Sequence, residues 1–89
     1  MTKITIPKAL TKMENILYTR IKNKKELEKF LSELFNQKII THNKIRYDDL
    51  DFNLVFTIKI ANELLDIDLY YILDNNKNLF ITEFGYQIN

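Results

Sequence analysis

Three runs in the second half of the chain, residues 52–60, 64–73 and 79–88, alternate apolar and polar residues, the period of half-buried β-strands. Upstream, Leu27, Phe30, Leu31, Leu34 and Phe35 recur at i, i+3, i+4, i+7 and i+8, which predicts one helix from about residue 24 to 36 with a single apolar stripe. Asn23 and Glu26 stand at its start in N-cap and third-position spacing, so each side chain can meet the other's free backbone amide. Glu26, Glu28, Lys29 and Glu33 take the opposite side. A helix this short is marginal alone and must dock its stripe on a sheet.

The rest of the pattern is less regular. Residues 2–6 alternate and read as a short strand ending at Pro7, which cannot donate to a ladder. In residues 8–22, Leu10, Met13 and Leu17 fit a helical stripe, while residues 16–21 fit a β-branched strand. The helix start that follows immediately favours a strand over about residues 15–21. Residues 39–40 and 44–47 read as short strands flanking a turn at His42 and Asn43, with residues 48–51 a polar connection.

Side chains suggest registers for the C-terminal hairpins. A two-residue turn at Asn75 and Asn76 sets Tyr71 against Phe80, Leu69 against Thr82, Ile67 against Phe84 and Leu65 against Tyr86. A turn at Asn62 and Glu63 sets Ile60 against Leu65, Ile58 against Ile67, Phe56 against Leu69 and Lys59 against Asp66. One face is then apolar, and a one-residue slip would expose it. The expected fold class is α+β. A single domain over residues 1–89 is expected, with one amphipathic helix packed on an antiparallel sheet whose core is a C-terminal three-stranded meander.

The other sheet face is mixed. It carries Lys59, Asp66, Asp68 and Glu83 near the first turn and Val55, Tyr70, Ile72, Leu79 and Ile81 towards the other end, with Asp68 directly opposite Glu83. If no N-terminal segment covers it, the apolar end is a partner-binding surface anchored by Tyr70. These eight residues, Lys59 aside, are the expected partner-binding set.

Composition narrows the chemistry. The 89 residues contain no Cys, which excludes disulfides and thiolate metal sites, and a single Gly leaves little for phosphate-cradling loops. Ser32 and His42 are alone of their kinds, so no nucleophilic triad or His-based acid–base pair can be built. Asp66, Asp68 and Glu83 are the nearest approach to a nuclease-type metal site. They lack a suitably spaced Lys or His, so neither a metal nor a cofactor is expected. No apolar run approaches the roughly 20 residues of a membrane span. Lys3, Lys8 and Lys12 precede no apolar stretch of the signal-peptide kind, so a cytoplasmic location is the default expectation.

The net charge of +1 conceals an asymmetry. Residues 1–47 hold eleven basic residues against Glu14, Glu26, Glu28 and Glu33, a net +7, and residues 48–89 hold Lys59 and Lys77 against six Asp and two Glu, a net −6. Arg20, Lys22, Lys24 and Lys25 form a basic run that could contact phosphates. At a helix start such charges oppose the helix dipole, so they do not serve its stability.

Two stretches resemble small viral anti-CRISPR proteins, the type I-D inhibitors of archaeal viruses. They are the helix segment Lys25-Glu26-Leu27-Glu28-Lys29-Phe30-Leu31 with Phe35, and the hairpin from Leu65-Asp66-Ile67-Asp68-Leu69-Tyr70-Tyr71 through Phe80 to Phe84. The resemblance implies a helix packed on an antiparallel sheet and inhibition of a CRISPR effector by binding its large subunit, without catalysis. The basic N-terminal half departs from that strongly acidic family, and no functional residue carries over. Ile4-Thr5-Ile6-Pro7-Lys8-Ala9-Leu10 also looks like the opening of AbrB-type antitoxin strands but lacks the Gly/Asp turn that follows there.

Small size, missing catalytic residue types, a half-apolar sheet face and the resemblance lead to one expectation. It is a non-enzymatic viral or mobile-element protein that occludes a protein target in a host defence complex, with a homodimer as a further partner. The alternative is a nucleic-acid-binding regulator or toxin–antitoxin component using Arg20, Lys22, Lys24 and Lys25. A metal-dependent nuclease is the remaining enzyme reading.

Overall fold

The computed structural model describes residues 5–43 and 52–89. The chain begins with helix α1 (Ile6–Glu14), short strand β1 (Arg20–Ile21) and helix α2 (Lys24–Phe35). It continues with β2 (His42–Asn43), β3 (Phe52–Ile60), β4 (Glu63–Leu73) and β5 (Leu79–Ile88). The strands form one antiparallel sheet in the order β1-β5-β4-β3-β2. The class is α+β, with two helices where the sequence pattern predicts one. The expected strands at residues 2–6 and 44–47 and the connection at 48–51 lie wholly or partly outside the described residues.

α1 replaces the strand reading of the N-terminal segment. Thr5 caps it, accepting from the Lys8 amide at 3.4 Å, and Pro7 sits in the first turn, where its missing N–H costs no helical bond. Ile6 and the run through Leu10 are therefore helical. Ala9, Met13 and Ile16 are buried, with Ile6, Leu10 and Leu17 packed beside them, a 3.6-residue period that Pro7 masks in the sequence. Residues 15–18 are turns, held by the amides of Ile16 and Leu17 on the carbonyls of Met13 and Glu14. The strand expected over about residues 15–21 shrinks to Arg20 and Ile21.

α2 forms as its cap predicts: the Glu26 amide donates to Asn23 Oδ1 at 2.8 Å. Asn36 ends it in the left-handed region at φ 53, a conformation that Asn tolerates. Leu27, Leu31 and Phe35 are buried and Leu34 is packed beside them, while Phe30 at the rim of the stripe is exposed. The Lys12 ammonium donates to the Leu34 carbonyl at 3.1 Å, satisfying an acceptor in the last turn of α2 and tying the helices together.

The segment after α2 is held by side chains of the helix. Ser32 Oγ accepts from the Ile39 amide at 3.0 Å, and Glu28 Oε2 accepts from the Thr41 amide at 2.6 Å and its hydroxyl at 3.1 Å. The Ser32 bond occupies the Ile39 amide, which a strand at residues 39–40 would need. His42 and Asn43, expected as a turn, instead pair with Val55 and Leu54.

Both hairpin registers differ from the predicted ones. The first turn is Ala61 and Asn62, so Ile60 faces Glu63, Ile58 faces Leu65, Phe56 faces Ile67 and Leu54 faces Leu69. The slip from the expected pairing is two residues, which leaves every side chain on its face. Lys59 now faces Leu64, and Asp66 faces Thr57.

The second connection spans residues 74–78 and is organised by Asp74. Its Oδ1 accepts from the amides of Asn76 and Asn78, both at 2.8 Å, and its own amide donates to the Asn78 carbonyl. The β4–β5 pairing then shifts between Tyr70 and Tyr71: Tyr70 faces Glu83 but Tyr71 faces Ile81. Thr82 is the extra residue of a β-bulge, and its hydroxyl donates to the Tyr70 carbonyl at 3.3 Å.

That bulge changes which residues of β5 point inward. Leu79 and Ile81, expected on the outer face, are buried in the core. Phe80 moves to the outer face, opposite Ile72. A single core joins Ala9, Met13 and Ile16, the α2 stripe, and the inner row Leu54, Phe56, Ile58, Ile60, Leu65, Ile67 and Leu69. Both helices therefore serve the same face of the sheet.

Candidate functional site on the outer sheet face

The face turned away from the helices is where side chains remain that the core does not use. Its rows follow from the pairing. Arg20 faces Phe80, which faces Ile72; His42 faces Val55, then Asp68, then Gly85; Thr57 faces Asp66, then Gln87. One end is aromatic and aliphatic, the other acidic.

The apolar end gathers residues distant in sequence. Arg20 lies over the Phe80 ring, its guanidinium carbon 4.7 Å from the centroid, and its Nε meets Asp74 Oδ2 at 3.3 Å. The Tyr18 ring stands 6.3 Å from that of Phe80 in a tilted arrangement. Tyr18 is 69% exposed and holds φ 65. Its amide donates to the Ile81 carbonyl at 2.7 Å, and the Thr19 carbonyl accepts from the Ile81 amide at 3.1 Å, which fixes the chain beside β5. A bulky side chain in the left-handed region costs roughly 1–2 kcal/mol, a cost glycine avoids. The fold needs the turn there; it does not need a tyrosine.

At the acidic end, a shallow depression of about 350 Å³ lies among His42, Val55, Thr57, Asp66, Asp68 and Gln87. Asp66 is engaged on both oxygens: the Thr57 hydroxyl donates to Oδ1 at 2.7 Å and the Asn89 side-chain amide donates to Oδ2. Gly85 opposite Asp68 leaves open space where a side chain would stand. Nearby, Asn53 is buried, its Nδ2 donating to the Leu69 carbonyl at 3.0 Å, and among the described residues its Oδ1 finds no donor.

The predicted partner-binding set is thus divided. Val55, Asp66, Asp68, Tyr70, Ile72 and Glu83 remain on the outer side, whereas Leu79 and Ile81 belong to the core. The predicted Asp68–Glu83 pairing is replaced by Asp68 with Gly85 and Glu83 with Tyr70, so the three carboxylates do not converge. Among the described residues no group of three or more His, Asp or Glu side chains is placed to hold a metal ion.

In the basic run, Arg20 is committed to Asp74 and Phe80, while Lys22 and Lys25 are exposed and Lys24 is half-buried. Sequence reasoning missed Phe80 as an outer-face residue, and it left Tyr18 out of the candidate set. The signal for Phe80 was the bulge, which the alternation pattern does not reveal. No helix among the described residues is long and apolar enough to cross a membrane. Comparison with protein families, with curated proteins and with solved structures finds no match for this chain.

Proposed function

We propose that the protein is a non-enzymatic binding module that occludes a protein target with the outer face of its sheet. Tyr18, Phe80 and Ile72 are the anchor, and Asp66, Asp68 and Glu83 meet a basic rim on the target. The observation that carries this reading is Tyr18, a large aromatic kept exposed in a costly backbone conformation where glycine would suit the fold better. Strain of this kind clusters at binding and switch regions, and large aromatics are enriched among the residues that dominate protein contacts. Arg20 and Phe80, stacked beside it, extend the same patch. The target class comes from the resemblance of the helix and hairpin segments to anti-CRISPR proteins. It is a host defence complex such as a CRISPR effector, blocked by coverage and without chemistry.

The test is capture of the target from host lysate by the tagged chain, run beside Tyr18→Gly, with thermal melting of both proteins. The expected result is a protein partner retained by the native chain and lost by at least about tenfold in the variant. The variant should melt no lower than the native chain, because glycine relieves the positive φ. Equal capture by both overturns the anchor. Recovery of nucleic acid in place of protein, falling steeply with salt and abolished by neutralising Lys22, Lys24 and Lys25, transfers the function to that run.

A further inference from the structure

Among the described residues, the β5 side of the sheet is a long edge that is largely unpaired, and it lies in the plane of the strands and not on either face. β1 covers only the start of β5, pairing Arg20 with Phe80 and Ile21 with Leu79, with Tyr18 and Thr19 reaching Ile81. From Thr82 to Ile88, no strand among the described residues lies on that side. Natural sheets blunt such edges with Lys, Pro, inward charges or short strands. Here residues 82–88 contain no Lys and no Pro and carry one charge, Glu83.

The direction of the free backbone groups follows from one bond. The Asn89 amide donates to the Leu64 carbonyl at 2.9 Å, one position beyond the Leu65–Ile88 pair. In an antiparallel ladder bonded and non-bonded pairs alternate, so Gln87, Gly85 and Glu83 turn their amides and carbonyls towards β4. The amides and carbonyls of Phe84, Tyr86 and Ile88 then point outward. The side chains of the same three residues share the inner sheet face, where Tyr86 is 54% and Ile88 48% exposed.

We infer that this edge pairs with the same edge of a second copy of the chain, antiparallel, about a two-fold axis at Tyr86. In that register Tyr86 faces the partner's Tyr86, and Phe84 faces the partner's Ile88 on either side. All three outward-facing residues exchange both backbone bonds, about six in total. The apolar side chains of one copy meet those of the other on the same face, aromatic against aliphatic, the pairing that stabilises sheets. Glu83 falls opposite the partner's Asn89, so no side-chain charge meets its like. A register centred on Glu83 would oppose two carboxylates and leave Ile88 unpaired. In this register the edge is thus complementary to itself, in side-chain charge and in bonding. The two five-stranded sheets become one continuous sheet with both outer faces on one side, whatever those faces bind.

The experiment is sedimentation across a concentration series with hydrogen exchange at the amides of Phe84, Tyr86 and Ile88. The native chain should reach twice its 10.7 kDa mass, with those three amides becoming protected as dimer forms. Tyr86→Pro removes an outward amide and leaves the β4 ladder intact, and Tyr86→Lys sets two ammonium groups together at the axis. Each should weaken association by about tenfold or more, and Tyr86→Lys keeps the test valid should the proline variant fold poorly. A monomer at every concentration, or a dimer that leaves the three amides unprotected or survives Tyr86→Lys, overturns the proposal. So does a strand of an unrelated protein found on this edge in place of a second copy.

Discussion

The two faces of the sheet are built from the same strands and obey different rules. On the inner face Leu54, Phe56, Ile58, Leu65, Ile67 and Leu69 are buried against α1 and α2, and each is explained by what it packs on. On the outer face Val55, Asp66, Asp68, Ile72 and Phe80 sit in rows that mix charge, aliphatic and aromatic groups. None of these five belongs to the core. The inner face tells how the chain folds, and the outer face holds residues that the core does not select.

The sharpest break between the faces falls within a few residues of β4 and β5. Ile81 and Ile72 share an element type and a residue type, but Ile81 is fully buried and Ile72 is on the outer surface. Ile81→Ala is expected to cost about 2–5 kcal/mol, the range for emptying a core position, and Ile72→Ala about 0.5 kcal/mol. Urea unfolding of the two variants reads the difference. Equal costs would mean that the bulge at Thr82 does not set the faces as described.

That same pair marks how far the sequence could be read. The face assignments of β3 and β4 follow from alternation alone, because a slip of two residues in the hairpin leaves parity intact. The α2 stripe and its Asn23 cap are equally legible, since both are local. β5 is different. The extra residue at Thr82 reverses parity for Leu79 and Ile81, and nothing in the alternation marks where a bulge falls. The five-residue loop at 74–78 compounds this, because Asp74 and Asn78 close it through side-chain bonds that two adjacent asparagines do not announce. At the N-terminus, Pro7 admits two meanings, the end of a strand or the first turn of a helix. Only Thr5 as a cap and the burial of Ala9 and Ile16 decide between them. The outer patch of Tyr18, Arg20 and Phe80 depends on both of these features, which is why it was not visible as a unit.

Positive φ separates residues chosen for the fold from those chosen for something else. Asn36 at φ 53 ends α2 with a residue type suited to that conformation. Ala61, also at φ 53, opens the first hairpin turn without that advantage. Ala61→Gly is expected to raise stability by about 1 kcal/mol, less any loss from the greater freedom of the unfolded chain. Tyr18→Gly should gain on the same grounds, and thermal melting compares the two. If Tyr18→Gly instead destabilises the protein, the ring is needed for packing on Phe80, and the case for an external use of Tyr18 falls.

The smallest effect belongs to Asp74, which links the outer patch to the loop beneath it. The Asn78 amide, the Asn76 amide, the Asn78 side chain and the Arg20 guanidinium all favour its charged form, against a partial opposing effect of burial, and hold its carboxyl below the ordinary value. A carboxylate with a lowered folded-state pKa binds its proton more readily when the chain is unfolded. Its contribution is therefore fully present above the ordinary carboxylate range of about 3.9 and is lost as pH falls through that value towards the folded one. Asp74→Asn cannot titrate and removes this dependence. Melting temperatures of the two proteins should draw together as pH falls from about 6 through about 3.9, the native chain's lead shrinking towards the acid end. A constant separation across the range would mean that the charge on Asp74 gains nothing from folding, neither from the Asn76 and Asn78 amides nor from Arg20. The Arg20 ion pair would then position the guanidinium over Phe80 without stabilising the fold.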